Sequence, residues 1–557
     1  MSDVDVARII GGAGTGKTTT ILQKMELALD RLGGDPLRLG FASFTRAARS
    51  EAVSRASAAW GVSESLLSKE GWFRTIHSTC FRCLGVSAGQ LLAGDSKADL
   101  EWISEAVGVK VQTITDEDTG AVSYTGDPVA SAALNCWSFA RSSLRPLQEV
   151  VRRRRRVDDS VPDYALIVRM AERYETKKRL DDRMDFNDLL AAFAGVSFSV
   201  MEGVTPSSSY RPELPEVSAW LFDEQQDASP LLDLVCKRLV SAPSVKWCYV
   251  VGDPFQAIYG FAGSNADCFL GWQVKKEMTM PKSYRCPTPI LALGERCLRR
   301  MHRGYFDRGI EAADHAGSIG EVGAIDQLVA QVDPKQPWLL IARTKFQASR
   351  IAAEMHRQGK PVRWTTSPDG PTNRSRGLQA LYKLENGEPI TGHDWKHATE
   401  LLPSNGMLRP GVKETMLVRG TKKRFDDEDE RRHWDFILPA ELDKVGATPA
   451  LRDAIVKGEW VRLVDHGDLW RREAKQYGPL LAAEPQCRVG TIHSVKGMEA
   501  DNVAVLTTTA QKVAAGAEDC DQYDEECRIA YVAVTRTRKR LVVINEGRPT
   551  TPRMEVL

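Results

Sequence analysis

Residues 6–18 read Val-Ala-Arg-Ile-Ile-Gly-Gly-Ala-Gly-Thr-Gly-Lys-Thr, an apolar strand running into a glycine-rich turn, with a helix-like stretch from Thr18 to Leu32 behind it. Gly11 to Thr18 follow the pattern G-x-x-x-x-G-K-[S/T], the loop whose backbone amides wrap phosphate at a helix N-terminus. The glycines let the main chain approach an anion without Cβ clashes. On this reading Gly11, Gly12, Ala13, Gly14, Thr15, Gly16, Lys17, Thr18 and Thr19 line a nucleotide site. Lys17 neutralises the β and γ phosphates, and Thr18 holds Mg2+ through its hydroxyl. A random chain of this length carries such a match on the order of once in fifty. The placement between a strand and a helix is what gives the match weight.

A second apolar strand at Leu37 to Phe44 completes a β-turn-α-β order, which predicts an α/β domain whose parallel sheet binds phosphate at its carboxyl edge. Buried-type runs at Ala219 to Phe222 and Val245 to Val251 extend that sheet. A further set at Trp338 to Ala342, Val489 to His493, Val503 to Thr507 and Leu541 to Ile544 predicts a second sheet of the same class. The run ending at Phe222 passes directly into Asp223 and Glu224. Alone, these acids read as a strand entering an acidic turn. Beside a phosphate loop, Asp223 reads as the Mg2+ carboxylate and Glu224 as the group that polarises attacking water.

The whole chain has 557 residues, 27% charged and 42% hydrophobic, enough for several cores and too apolar for a largely disordered protein. No stretch approaches the roughly 18 to 20 apolar residues of a membrane span, and the opening ten residues lack the pattern of an export signal. Eleven thinly spread cysteines suit a reducing compartment, so a cytoplasmic protein without membrane contact is expected. Cys80 and Cys83 form a lone C-x-x-C on an apolar segment and read as two core positions of a helix. With 75 basic against 74 acidic residues, bulk charge does not draw the protein onto a polyanion, so any nucleic-acid site is a local groove. The densest basic block, Arg152 to Arg156, has a solvated helix face as its ordinary reading.

Taken in order, further segments resemble the UvrD/Rep-type helicases of superfamily 1. Phe44-Thr45-Arg46-Ala47-Ala48 and Thr75-Ile76-His77-Ser78 are similar to the family's first DNA-contact motifs. Asp185 to Leu190 resembles the segment before the acidic box, here Asp223 to Asp227. Val251 to Tyr259, Ser283-Tyr284-Arg285-Cys286, Thr491 to Glu499, and Tyr531 to Arg536 complete the set. The resemblance implies two RecA-like domains, each carrying a mainly helical insertion, with ATP and Mg2+ in the cleft between them. It places the first motor domain at 1–90 and 181–275 with its insertion at 91–180. The second is placed at 276–365 and 481–557, with a short accessory insertion at 366–480 that includes the charged run Lys422 to Arg432.

By the same resemblance, Gln256 senses the γ phosphate, while Arg285 and Arg536 act as arginine fingers from the far wall. Tyr284 stacks on the nucleotide base, and Glu499 accepts from a ribose hydroxyl. Phe44, Tyr259 and Phe261 are the candidates for stacking on bases, at about 1 to 3 kcal/mol each. Thr45, Thr75, His77, Thr491 and His493 are the candidates for polar DNA contacts. The implied activity is ATP-driven movement from 3′ to 5′ along single-stranded DNA with separation of a tailed duplex, alongside replication or repair proteins. A translocase that strips proteins from single strands with little unwinding is the alternative. A nucleic-acid-independent phosphotransferase is a third reading, under which Arg285 and Arg536 have no purpose.

Several positions depart from the family pattern. Only ten residues precede Gly11, and the Gln that reads adenine has no counterpart, so relaxed base selectivity is expected. Ala262 follows Phe261 where an Arg is common, and Ala500 follows Glu499 where an aromatic is common. The accessory insertion is shorter than usual, and no nuclease-like cluster follows Arg536, so a compact motor is expected.

Overall fold

The computed structural model describes residues 4–43, 46–94, 96–115, 122–209, 212–367, 370–413, 436–516, 519–547 and 553–554. The chain divides into two compact units, one of residues 1–317, 511–536 and 554–557, the other of residues 318–510 and 537–553.

The first unit is built on a six-stranded sheet in the order Lys276–Thr279, Asp5–Ile10, Trp247–Gly252, Ala219–Phe222, Leu39–Ser43, Trp72–Thr75. Every pairing in it is parallel. Parallel strands are covered on both faces, so their sequences read as continuous apolar runs rather than alternating ones. Ala219–Phe222 illustrates this, with all four residues fully buried. Side chains still alternate in direction: Trp220 and Phe222 enter one core with Leu231 and Val235, while Ala219 and Leu221 enter another with Phe41 and Met25. Cys80 and Cys83 lie in the first of these cores on helix Ile76–Leu84, and all eleven cysteines are free thiols.

The insertion expected at 91–180 contains the helices Lys97–Val107, Pro128–Ser142, Leu147–Val157 and Tyr164–Leu180 and the antiparallel pair Val111–Thr115 and Val122–Gly126. It has its own core around Trp137, Leu134, Val150 and Ile167. A buried charge cluster joins it to the segment read as preceding the acidic box. Asp185 caps helix Phe186–Ala194, with Asp188 returning to the Asp185 amide in a capping box. The Arg141 guanidinium donates to Asp185 at 2.6 and 3.1 Å and to Asp188 at 3.0 Å. Lys178 reaches both carboxylates. Burial alone would raise the Asp185 carboxyl, but Arg141 and Lys178 outweigh it and hold the group far below its ordinary range. Asp188 is pushed up, by burial and by the neighbouring Asp185 charge.

The second unit carries a second six-stranded parallel sheet, ordered Ser318–Val322, Thr537–Ile544, Ala500–Leu506, Trp338–Ala342, Cys487–Thr491, Arg363–Trp364. Its insertion includes helices Asn373–Glu385, Gly392–Leu401, Pro449–Val456 and Gly467–Tyr477 around Trp395, Trp460 and Leu381. The run Lys422 to Arg432 lies outside the described residues. Among the described residues no helix is long and apolar enough to cross a membrane.

The described residues are thus α/β, built on two six-stranded parallel sheets. Two details differ from the sequence reading. Lys276–Thr279 is a strand of the first sheet, paired with Asp5–Ile10, rather than the start of the second domain. Residues up to 317, and the helix Cys520–Val534 with Arg536, pack in the same unit as the phosphate loop.

Replacing Arg141 by Ala is expected to lower the unfolding free energy by about 3 to 5 kcal/mol, because it strands buried carboxylates without their counter-charge. Glu51→Ala, which breaks the exposed Arg55–Glu51 pair, is expected to change it by less than about 1 kcal/mol. Urea unfolding of the two variants beside the parent measures both.

Candidate nucleotide-binding site

The strand Asp5–Ile10 delivers Gly11 to Gly16 onto the first turn of helix Lys17–Arg31. Gly16 occupies the N-cap with φ +82° and supplies no side-chain cap, and no acid lies in the first turn. The helix therefore presents its amides and the positive end of its dipole to the loop. Lys17 Nζ donates to the Gly11 and Gly12 carbonyls at 3.4 and 3.3 Å, and Thr15 Oγ1 donates to Gly12 O at 3.1 Å. Thr18 is half-buried on the first turn and Thr19 beside it is exposed.

Residues 283–285 hold the loop from one side. Ser283 Oγ donates to Ala13 O at 2.8 Å, and the Tyr284 amide donates to Gly14 O at 2.8 Å. At Gly14, φ is +68° and an added Cβ would lie 2.2 Å from Arg285 Cβ, so both backbone and space require glycine. The Tyr284 ring is 69% exposed and comes within 3.9 Å of where a Gly16 Cβ would sit. Its face is open to stack on a base beside the helix N-terminus.

The carboxylates follow the central strand Ala219–Phe222. Asp223 is buried and accepts from the Glu224 amide at 2.9 Å. Glu224 is held at φ +51°, left-handed backbone that a residue with a Cβ adopts at a cost. Its carboxylate accepts from Gln226 Nε2, and Gln226 Oε1 accepts from the Asp253 amide at 3.0 Å. Burial, then the Glu224 charge, raises the Asp223 carboxyl, with Lys17 opposing. Asp223 and Thr18 supply the oxygen donors that a divalent cation would take beside the phosphate loop.

Gln256 and the arginines complete the group. Gln256 Nε2 donates to Asp253 Oδ2 at 2.8 Å, and Gln256 Oε1 accepts from Arg536 Nη2 at 3.2 Å. Arg536 is 1% exposed, and its Nε donates to Val532 O at 3.0 Å. Burial, then the like charge of Arg285, pushes its guanidinium down to about 10. Arg285 Nη1 donates to Thr535 O at 3.4 Å. The unit that holds the phosphate loop therefore also holds Lys17, Asp223, Glu224, Gln256, Tyr284, Arg285 and Arg536. The expectation that the two arginines belong to a separate body differs from this division, because Ser283, Tyr284 and Tyr531 hydrogen-bond directly to the loop.

The sequence reading passed over two residues here. Arg308 donates to Asp253 Oδ1 at 2.7 Å and to Glu295 at 2.5 Å, with no side-chain exposure. The Tyr531 hydroxyl accepts from the Ala13 amide at 3.1 Å and donates to Asp253 Oδ2 at 3.2 Å. A lone Arg outside any motif carries no sequence signal, and the resemblance that covers Tyr531 to Arg536 assigns a role only to the arginine.

The candidate DNA contacts separate into groups. Phe44 and Thr45 lie outside the described residues. Thr75 caps helix Ile76–Leu84, its hydroxyl accepting from the Ser78 amide at 3.3 Å. His77 sits edge-on to Phe186, and burial holds its imidazole down at about 4, so it is neutral at pH 7. Phe261 is 50% exposed, whereas Tyr259 is 2% exposed, so in this conformation Tyr259 is a core side chain and not a base platform. Thr491, His493 and Glu499 belong to the second unit. There Thr491 Oγ1 accepts from the Ser494 amide, His493 opens a short 3-10 turn, and Glu499 pairs with Arg538 at 3.2 Å. Within the arginine run, Arg153 and Arg155 pair with Asp521 and Asp163, Arg154 lies over Phe139, and Arg152 and Arg156 are exposed.

Residues 5–277 match the UvrD/REP helicase N-terminal domain, and residues 473–547 match the UvrD-like helicase C-terminal domain. YjcD of Bacillus subtilis is 23% identical over 318 residues, covering 55% of this chain and 38% of that protein. The ATP-dependent DNA helicase UvrD1 of Mycobacterium tuberculosis is 23% identical over 327 residues, covering 54% of this chain and 39% of that protein. The ATP-dependent DNA helicase UvrD2 of the same species is 23% identical over 585 residues, covering 96% and 76%. The matched part of the chain thus spans under two fifths of the length of the first two relatives.

Gly14→Ala is expected to cost about 1 to 3 kcal/mol of stability, from left-handed backbone plus the overlap with Arg285. It should also remove the rise in melting temperature that a nucleoside triphosphate gives the parent, measured by thermal shift.

Proposed function

The chain belongs to the UvrD/Rep helicase family, and on that premise we propose that it is an ATP-driven motor moving 3′ to 5′ on single-stranded DNA and separating tailed duplexes. The observation that carries the reading is the company the phosphate loop keeps. Water-polarising carboxylate, γ-phosphate sensor and two guanidiniums lie in one compact unit with Lys17, and the sensor Gln256 is hydrogen-bonded to Arg536.

ATP enters with its phosphates on the amides of Gly12 to Thr18 and its base against Tyr284. Lys17 leaves the Gly11 and Gly12 carbonyls for the β and γ phosphates, exchanging two weak neutral acceptors for charged ones. Mg2+, when bound through Asp223 and Thr18, neutralises charge on those phosphates. Glu224 takes a proton from the attacking water, and its left-handed backbone and Gln226 partner fix the carboxylate's direction. Arg285 and Arg536 meet charge developing on the γ phosphate. The depressed Arg536 guanidinium is a group held at cost among its own kind, and an arriving phosphate relieves that cost.

Phe261 is the exposed aromatic of the DNA track in the first unit, with Thr75 and neutral His77 as hydrogen-bonding groups. The 3′ to 5′ direction is carried over from the family.

The test is ATP hydrolysis with and without oligo(dT), followed by unwinding of a duplex with a 3′ tail. Stimulation of at least tenfold and unwinding from the 3′ tail are expected. Hydrolysis indifferent to single-stranded DNA would favour the phosphotransferase reading. Lys17→Ala and Glu224→Gln should each abolish hydrolysis, with only Lys17→Ala weakening nucleotide binding, as read by titration with a fluorescent ATP analogue. Arg536→Ala should lower kcat by roughly 100-fold, the scale of a lost transition-state charge contact, while the DNA dissociation constant stays within about threefold by anisotropy.

A further inference from the structure

The Tyr531 hydroxyl is the place where the phosphate loop meets the groups that orient the sensor and the base. It accepts from the Ala13 amide at 3.1 Å and from Arg308 Nη1 at 3.3 Å, and it donates to Asp253 Oδ2 at 3.2 Å. One donor and two lone pairs are the full capacity of a hydroxyl, so its orientation is fixed. The ring is fully buried. Burial, then the Asp253 charge against the opposing Arg308, keeps the phenol protonated as a donor.

Asp253 is the shared partner. The carboxylate oxygen that accepts from Tyr531 also accepts from Gln256 Nε2 at 2.8 Å, and its other oxygen takes Arg308 at 2.7 Å and the Phe255 amide at 3.1 Å. The Asp253 amide donates to Gln226, whose own amide group holds the Glu224 carboxylate. Two paths leave this hub, one to Glu224 and one through Gln256 to Arg536. Arg536 lies five residues beyond Tyr531, just past the end of helix Cys520–Val534, so the circuit of hydrogen bonds closes on the element it started from. Arg308 pairs with the buried Asp253 carboxylate at 2.7 Å, with Glu295 as its second partner.

We infer that Tyr531 is a positioning residue that couples the phosphate loop at Ala13, through Asp253 and Arg308, to the orientation of Gln256 and thereby to Arg536. Its hydroxyl acts through the protein groups it holds, Ala13, Asp253 and Arg308. Displacing the Ala13 amide from Tyr531 alters what Asp253 accepts, and Gln256 reads the change. The inference rests on the ATPase reading for its kinetic consequence, but not for the hydrogen bond itself.

Tyr531→Phe deletes the hydroxyl and keeps the buried ring, which packs against Gly294 and under Arg308. A lost hydrogen bond in a charged network corresponds to roughly a ten- to hundredfold loss. The expected result is a fall of that size in kcat with KM for ATP within about twofold of the parent. In a cycle with Gln256→Ala, the double variant should be no slower than the slower single variant, since both act through Asp253. Hydrogen–deuterium exchange of the nucleotide-free loop should accelerate at Ala13 in Tyr531→Phe. Parental kcat in Tyr531→Phe, multiplying effects in the double variant, or unchanged exchange at Ala13 would each overturn the inference. A parent protein without hydrolysis would defeat the functional reading instead, and the exchange measurement would still decide whether Tyr531 holds the loop.

Discussion

The backbone of Ala13 is gripped on both of its peptide groups, its N–H by the Tyr531 hydroxyl and its C=O by Ser283, and the shape of the phosphate loop depends on that grip. A loop rich in glycine is open enough to wrap an anion because it has few side chains, and for the same reason it has little with which to hold its own conformation. The missing rigidity comes from outside the loop. Residues 283–285 press on Gly14, Tyr531 fixes Ala13, and both segments lie far along the chain. Amides aimed in advance lower the ordering cost of binding an anion.

The electrostatics follow the same logic of groups held against their preference. Asp223 is raised by burial and by Glu224, Arg536 is lowered by burial and by Arg285, and Glu224 is kept in left-handed backbone. Each is a local cost sustained by surrounding structure. The Arg141 cluster is the contrast. It too buries several charges, but its carboxylates already have Arg141 and Lys178 as partners, and it ties the insertion to the capping box at Asp185.

Much of this was legible in the chain itself. Ala219–Phe222 and Trp338–Ala342 were placed to the residue, because a strand buried on both faces must be apolar throughout. Trp72–Thr75, Lys276–Thr279 and Ser318–Val322 left no such trace, since edge strands carry polar or exposed residues that break the run. The split of the DNA candidates was hidden for a related reason. Tyr259 and Phe261 are both aromatics two positions apart, and only packing decides that one is buried and the other half-exposed.

By itself the sequence determined the class of fold, because doubly buried strands read as continuous apolar runs, and it singled out Gly11 to Thr18 and the acids Asp223 and Glu224 as local patterns, while Arg285 and Arg536 came forward only through resemblance to a known family. Tertiary structure alone decided which residues hold that chemistry in place. Arg308 and Tyr531 meet Asp253 and Ala13 across separations of 55, 278 and 518 positions. A hydrogen bond between distant residues depends on distance and angle in space, and nothing in the spacing of letters along the chain encodes either.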